Sequence, residues 1–368
     1  MFWEMPVVPF LTVRSYKVAP KNETCNPATM SERPYLAQID ALRGIAAMLV
    51  ACFYHIRAVY FQSGGLTPLS TFQPFYWLQF NGYLFVDLFF VISGVVFTHK
   101  YLVDGKMKRG VTFAGFFKAR IARLYPLHLF TLLVVAGWAT NAPLNTLEAF
   151  FAHLFFLNVF TQNPTQTFNG PAWSLSVEMF CYLVFALAAL WGRVGLVALA
   201  CILGGLLLAL DPNSSGWTSS GLLARGLFGF FVGHVVYRLA ISKHVQMKTL
   251  LLCLPLLSLP VFLDGLLRIL AFSAFVWPAV IIFSLRLGVL DHQIFRWLGE
   301  RSYSIYLVHW PIFLLMATLF AYFELSPGWW GQFLAIVLVL MVSNTTYRAI
   351  ELPAKELLKR YFGLEGRQ

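Results

Sequence analysis

The chain has 368 residues, of which 59% are hydrophobic and 12% are charged, and its formal net charge is +11. Soluble domains carry about twice that share of charged residues, so a single aqueous core cannot hide this much apolar surface. The apolar residues come in runs of about 20, enough to cross a bilayer as helices. The basic charge does not indicate nucleic-acid binding, because Lys and Arg fall mostly in the short connections between apolar runs. Composition therefore excludes an ordinary soluble domain and predicts a protein whose partners include membrane lipids.

Three regions follow from this pattern. Residues 1–34 are polar and basic and lack an apolar core followed by a small-residue cleavage site, so they are interpreted as a cytoplasmic N-terminal tail. Residues 35–353 are predicted to form the membrane core, and residues 354–368 a cytoplasmic C-terminal tail. The five cysteines stand singly without metal-ligand spacing, so no metal site is expected.

Eleven apolar runs are candidate membrane helices, at residues 37–60, 75–99, 127–138, 147–160, 174–190, 194–210, 222–239, 249–263, 266–287, 303–323 and 330–350. Basic clusters separate them, at residues 14–33, 100–123, 193, 238–248, 286–301 and 348–360. Each cluster is expected to face the cytoplasm. An even number of crossings must then join Arg123 to Arg193, yet three runs lie between them, so one of the three does not span.

The run at residues 147–160 is the weakest, because it is short and contains Glu148, His153 and Asn158. It is predicted to be a re-entrant or interfacial helix buried against protein. Ten crossings remain and place both termini in the cytoplasm. The predicted fold class is an all-α polytopic protein of the inner (cytoplasmic) membrane, with about ten transmembrane helices.

Five ionisable side chains inside the apolar runs are singled out as candidate site residues: Arg43, His55, Asp87, Glu178 and His309. A charged side chain at a helix centre costs about 2.5–3.5 kcal/mol on insertion scales, so each requires a partner or a water-filled cavity. Asp87 is expected to have a basic neighbour, with Arg43 or His55 as the candidates. The side chains therefore indicate a functional site within the membrane.

Each of these residues also has a structural interpretation. Arg43 could be an interface arginine paired with Asp40, and His55 a ring hydrogen-bonded between helices. Glu178 lies four residues after Ser174, which is predicted to cap a helix whose dipole would favour the carboxylate.

Arg120 and Arg123 are three residues apart on a presumed interfacial helix, so they share a face and could clasp phosphate groups. The alternative is a topology signal in contact with lipid headgroups. Both interpretations place the two arginines at the cytoplasmic face.

Six segments resemble, in order, the motifs of the acyltransferase-3 family of membrane acyltransferases. They are residues 39–47 (IDALRGIAA, with a histidine later in the same helix), 82–94 (GYLFVDLFFVISG), 117–126 (FKARIARLYP), 173–178 (WSLSVE), 298–311 (LGERSYSIYLVHWP) and 351–353 (ELP). The resemblance implies transfer of acetyl or other short acyl groups from cytosolic acetyl-CoA, or another acyl-CoA, to hydroxyls of a cell-surface glycan or glycolipid. Acyl-CoA would be the donor substrate, with no permanently bound cofactor.

One spacing departs from the family pattern. The family usually places ten residues between the arginine and the histidine, whereas eleven lie between Arg43 and His55. One extra residue turns a regular helix by about 100°. Either a one-residue bulge restores the phase, or Tyr54 occupies the family's histidine position.

The resulting hypothesis gives each site residue a role. His55 is the base, oriented by Glu178 or Asp87, while Arg43, Arg120 and Arg123 hold the phosphates of coenzyme A. Trp173, Ser174 and His309 are predicted to bind the acceptor. The main alternative is a transporter or flippase of a glycolipid that uses the same charges as a relay, although the two halves of the chain show no repeated pair of broken helices.

Overall fold

The computed structural model describes residues 35–63, 65–138, 142–241 and 259–364, and these residues are almost entirely helical. The α-helices are α1 (Ala37–Leu49), α2 (Gln73–Asn81), α3 (Leu84–Tyr101), α4 (Phe113–Trp138), α5 (Leu147–Leu154), α6 (Trp173–Leu190), α7 (Val194–Ala209), α8 (Ser219–Val236), α9 (Gly265–Ala271), α10 (Trp277–Ser284), α11 (Gln293–Glu300), α12 (Ser302–Tyr322), α13 (Gly328–Thr346) and α14 (Leu352–Tyr361). A short antiparallel hairpin, β1 (Leu102–Val103) with β2 (Lys106–Met107), follows α3.

Several of these helices join into longer ones through π-helical turns. The π turns are Val50–Tyr54 after α1, Tyr237–Ile241 after α8, Phe272–Val276 between α9 and α10, and Tyr347–Glu351 between α13 and α14. A 3-10 segment, His55–Ser63, continues the first helix beyond its π turn. Such turns shift the phase of a helix without ending it.

Within the described residues, eight helical stretches are long and apolar enough to cross a membrane: Ala37–Tyr60, Leu84–Tyr101, Phe113–Trp138, Gly170–Leu190, Ser219–Leu239, Gly265–Ser284, Ser302–Tyr322 and Gly328–Tyr361. Val194–Ala209 is a shorter apolar helix. The predicted all-α polytopic membrane fold is confirmed. The predicted crossing at residues 249–263 lies mostly outside the described residues.

The weak run at residues 147–160 does not span. It forms α5, of 8 residues, and the 3-10 turn Asn158–Phe160. Eight helical residues extend about 12 Å, less than half of a hydrocarbon core. His153 is buried there, and its Nε2 lies 2.8 Å from Thr167 Oγ1. Burial lowers the pKa of His153 to about 3, so the ring is neutral.

Two predicted boundaries were wrong. The run at residues 75–99 is broken, because α2 ends at Asn81 and α3 begins at Leu84. The basic segment around Arg120 is not a separate interfacial helix, since α4 runs unbroken for 26 residues from Phe113. Buried residues such as Phe116 interleave with the basic ones and fix the first turns of α4 against the core.

The bundle of described helices has two ends. The basic end is where Ala37–Tyr60 and Phe113–Trp138 begin, and it carries Arg43 and Arg123. The histidine end is where Ala37–Tyr60 ends and where Ser219–Leu239 begins, and it carries His55. Every site residue below is placed relative to these ends.

Helices α3 and α8 approach each other through glycines. A Cβ atom added to Gly94 would lie 1.8 Å from the carbonyl oxygen of Phe230, and one added to Gly233 would lie 2.1 Å from that of Val91. Only glycine permits backbones this close, as is common where helices associate in lipid.

We expect Gly94→Ala to lower the free energy of unfolding by about 1–3 kcal/mol or more, because the added methyl group forces α3 and α8 apart. Gly204→Ala in α7 is the matched control, since no atom lies within 4 Å of its added Cβ. The midpoint of thermal unfolding in detergent checks both variants. Equal midpoints for the two would contradict the close contact.

Candidate active site

A pair of histidines lies at the histidine end, contributed by the first helix and by α12. His55 Nδ1 lies 2.9 Å from His309 Nε2, and the ring planes differ by 12°. His309 Nδ1 lies 3.1 Å from the carbonyl oxygen of Ile305, which can only accept. As a neutral ring, His309 therefore carries its proton on Nδ1 and accepts with Nε2. It follows that His55 Nδ1 donates and that His55 Nε2 holds a free lone pair.

The π turn decides which residue of the first helix meets His309. Val50–Tyr54 is a π-helix, and His55 follows it directly. The extra residue is absorbed there, as the bulge alternative requires. His55 rather than Tyr54 makes the contact with α12, while Tyr54 packs beside it with ring centroids 4.8 Å apart.

A proline fixes the turn of α12 that carries His309. Pro311 has no N–H, so the carbonyl oxygen of Leu307, four residues earlier, loses its helical partner. Asn169 Nδ2 donates to that oxygen at 3.0 Å. Trp310 Nε1 donates to the carbonyl oxygen of Phe168 at 3.2 Å. The segment before α6 therefore anchors the histidine-bearing turn.

Ser174 strengthens the same anchor in place of its predicted role as a helix cap. Helix α6 begins at Trp173 without a side-chain cap. The Ser174 hydroxyl lies 3.0 Å from Tyr306 Oη and 3.1 Å from the carbonyl oxygen of Pro171. Tyr306 packs edge-on against His309, with ring centroids 5.8 Å apart. Ser174 thus supports the histidine pair through Tyr306.

A cavity runs from the basic end toward this anchor. The residues that line it come from α1, α3, α6 and α12, and they are Arg43, Phe89, Phe90, Ser93, Ser174, Leu175, Glu178, Ser302, Tyr303 and Tyr306. Three predicted site residues from distant parts of the sequence, Arg43, Ser174 and Glu178, therefore share one space.

Glu178 does not orient His55, contrary to prediction. Its Oε1 accepts hydrogen bonds from Ser93 Oγ at 2.8 Å and from the Tyr182 hydroxyl. The His55 ring is held by His309 instead. Glu178 places a carboxylate inside the cavity, between its two ends.

Asp87 does not orient His55 either, and its basic partner is neither Arg43 nor His55. Arg225 Nε and Nη2 each donate to one carboxylate oxygen of Asp87 at 2.9 Å, and both side chains are 0% exposed. A fork of two N–H groups satisfies a carboxylate better than any other side chain does. Arg225 was missed in the sequence analysis, although an arginine near the start of the run at residues 222–239 was the available signal.

Two predicted acceptor contacts are also wrong. Trp173 is 5% exposed, because the Arg225 guanidinium lies 5.0 Å from its ring centre and Phe90 packs against it. His309 is 0% exposed, and both of its ring nitrogens are already engaged. Neither ring is free to contact a substrate.

The three predicted phosphate-binding arginines lie at the basic end but have different surroundings. Arg43 Nη1 lies 3.3 Å from Asp40 Oδ1, which supports the predicted pairing. Arg120 Nη2 donates to the Tyr101 hydroxyl at 3.0 Å, and its side chain is buried. Arg123 has no hydrogen bond or ion pair to any described residue, although Tyr182, Asp40, Glu351 and Glu178 act on it electrostatically.

Comparison with known proteins identifies the family of the chain. A model of the acyltransferase-3 family, described as an acyltransferase domain, matches residues 36–348. The chain therefore belongs to the acyltransferase-3 family, and the resemblance of its motifs is confirmed.

Individual relatives are more distant. The peptidoglycan O-acetyltransferase OatA of Listeria monocytogenes is 25% identical over 378 residues, which cover 89% of this chain and 57% of the relative. The O-acetyltransferase OatA of Staphylococcus aureus is 23% identical, over 88% of this chain and 57% of the relative. Protein 2 in the picA locus of Rhizobium radiobacter is 34% identical, over 42% of this chain and 81% of the relative. The chain thus spans little more than half the length of the two acetyltransferases. No solved structure matches the chain.

We expect Arg225→Met to lower the free energy of unfolding by about 3–5 kcal/mol, because it leaves the Asp87 carboxylate buried without a partner. The double variant Arg225→Met with Asp87→Leu should recover much of that loss. Arg296→Met, which breaks the exposed pair with Asp291, should change stability by about 1 kcal/mol or less. Unfolding in detergent measures all three, and equal losses for the two arginine variants would contradict the burial argument.

Proposed function

We propose that the chain is a membrane O-acyltransferase that moves an acetyl or other short acyl group from cytosolic acyl-CoA to a hydroxyl of a cell-surface glycan or glycolipid. The observation that carries this proposal is the free Nε2 lone pair of His55, which His309 holds in the tautomer of a base. Among the described residues this nitrogen has no hydrogen-bond partner, so it is open to a substrate hydroxyl.

The reaction needs two proton transfers and one exchange of bonds at the carbonyl carbon. His55 Nε2 accepts the proton of the acceptor hydroxyl as the oxygen attacks the thioester carbonyl carbon. The new C–O bond forms, the C–S bond breaks, and coenzyme A leaves as a thiolate, which takes the proton from the His55 imidazolium. The imidazolium of His55 keeps its hydrogen bond to His309 Nε2, which stabilises the charged ring.

A nearby cation supports the negative charge that develops on the carbonyl oxygen. The guanidinium of Arg57 lies 5.4 Å from the ring centre of Tyr54, the residue that precedes His55. Its Nη1 donates to the carbonyl oxygen of Gln79, which holds the side chain in place. Fixed positive charge at the reacting group lowers the barrier without reorganisation.

The donor would enter at the basic end. Arg123 suits a phosphate of coenzyme A, because it has no anionic partner at hydrogen-bond distance among the described residues. Arg43 lines the cavity close by, so the two arginines could hold the nucleotide while the acyl arm extends toward Tyr306. Arg120 is a weaker candidate, since Tyr101 and the ring of Phe97 already hold it.

The names of the relatives support the acceptor class, and the distribution of Lys and Arg supports the side of the membrane at which each substrate binds. Two of them are named O-acetyltransferases, and the name of one specifies peptidoglycan. The clustering of Lys and Arg favours a cytoplasmic basic end, which leaves the histidine end on the outer face. A glycolipid transporter that relays charge through these residues has less support. Asp87 forms a buried ion pair with Arg225 and makes no contact with His55 that would continue such a relay.

We expect His55→Ala to lower the rate of acyl transfer by about 10²- to 10⁴-fold, as loss of a general base does. Tyr54→Phe should retain most activity, because the aromatic ring that packs against His55 remains and the base itself is unchanged. Labelled acetyl-CoA with glycan fragments as acceptors, followed by counting of the acetylated product, measures both rates. Loss of transfer in Tyr54→Phe with full transfer in His55→Ala would reverse the assignment.

A second measurement addresses the donor. Arg123→Ala should raise the KM for acyl-CoA about tenfold or more, because it removes a charge-assisted hydrogen bond to phosphate. Arg109→Ala is the matched control, since Arg109 is an exposed arginine in the connection before α4. An unchanged KM in Arg123→Ala, or the same rise in both variants, would exclude Arg123 from the donor site.

A further inference from the structure

A row of aromatic rings leads from the surface of the histidine end to His55. Trp217 lies in the loop between α7 and α8 and is 42% exposed. Its ring centroid is 5.3 Å from that of Tyr83, which is 5.7 Å from Tyr54, which in turn is 4.8 Å from His55. The row therefore joins an exposed indole to the proposed base without a gap.

The buried arginine fixes the outer member of this row. The Arg225 guanidinium lies 4.8 Å from the ring centre of Trp217, and Arg225 Nη1 donates to the carbonyl oxygen of Gly216 at 3.2 Å. Arg225 is itself held by Asp87. One face of the indole thus rests on an immobile cation, which favours a fixed orientation of the ring.

The row also offers polar groups without partners. Among the described residues, the hydroxyls of Tyr54 and Tyr83 make no hydrogen bond, and both side chains are partly exposed. Aromatic faces flanked by free hydroxyls suit a ligand with apolar C–H faces and polar edges, which is the character of a sugar ring.

The simpler interpretation of Trp217 is an aromatic residue of the membrane interface. Trp329 has that character, because it is 56% exposed at the start of α13 and its ring centroid lies 6.4 Å from that of Phe72. No arginine lies over its ring among the described residues. Trp217 differs both in its cationic support and in its connection to His55.

We propose that Trp217, Tyr83 and Tyr54 form a binding subsite for successive sugar rings of a linear glycan acceptor. This inference rests on the proposed acyltransferase function and specifies the acceptor as an oligosaccharide rather than a single sugar. One sugar ring stacks on Trp217, the next lies over the tyrosines, and the reactive hydroxyl reaches His55 Nε2.

Equilibrium binding tests the subsite separately from catalysis. The probes are fluorescently labelled β-linked N-acetylglucosamine oligomers of one, two and four units, titrated with the full-length chain in detergent. The wild-type chain should bind the tetramer more tightly than the monomer. Trp217→Ala should weaken tetramer binding roughly three- to tenfold and leave monomer binding unchanged. Trp329→Ala should match the wild type.

Trp217→Phe is a control that distinguishes loss of the binding surface from a folding defect. Its smaller ring can still rest on Arg225, so this variant should retain most of the affinity for the tetramer. The proposal is overturned if the wild-type chain does not bind the tetramer, if Trp217→Ala binds it as the wild type does, or if the two tryptophan variants lose equal affinity. Acyl transfer is measured on the same samples. One outcome separates the two proposals. If the wild type binds longer oligomers more tightly, Trp217→Ala abolishes this preference and the wild type transfers no acyl group, then the proposed function is refuted and the subsite is retained.

Discussion

The ion pair between Arg225 and Asp87 is the constraint on which the histidine end depends. Two opposite charges at 0% exposure must stay together, because either one alone would be buried at a cost of several kcal/mol. Their contact fixes α3 against α8, in the same pair of helices that the glycines bring close. The remaining surfaces of the guanidinium then hold Trp173 and Trp217. A single buried cation therefore organises four separate segments of the chain.

The histidine pair avoids the cost of burying a charge that the ion pair between Arg225 and Asp87 has to offset. A base held by a carboxylate would place a permanent charge at the centre of the proposed site, where desolvation is expensive. His309 is neutral, and a backbone carbonyl rather than an acid sets its tautomer. The resting site therefore carries no net charge on either ring. In the proposed reaction, positive charge appears on His55 only between the two proton transfers.

The fold could be predicted from sequence far better than the pairing of its charges. Runs of apolar residues and the positions of Lys and Arg are local properties, so they revealed the helices and the short segment at residues 147–160. Partners such as Arg225 for Asp87 lie 138 residues apart, and no periodicity encodes that contact. The role of Asn169 was equally hidden, because it depends on the carbonyl that Pro311 leaves free 138 residues later in the chain. Ionisable residues within apolar runs indicated that a site exists. Which of their atoms lie within hydrogen-bond distance of each other is determined by how the helices pack.

The π turn before His55 has an evolutionary consequence. A helix that can take up one extra residue as a π turn tolerates the insertion of a single codon without displacing the residues beyond it. The inserted position then supplies a new side chain beside an old one at no loss to the original contact. Here Tyr54 stands next to His55 and extends the row toward Tyr83. Substrate preference could diverge in this way while the chemistry stayed the same.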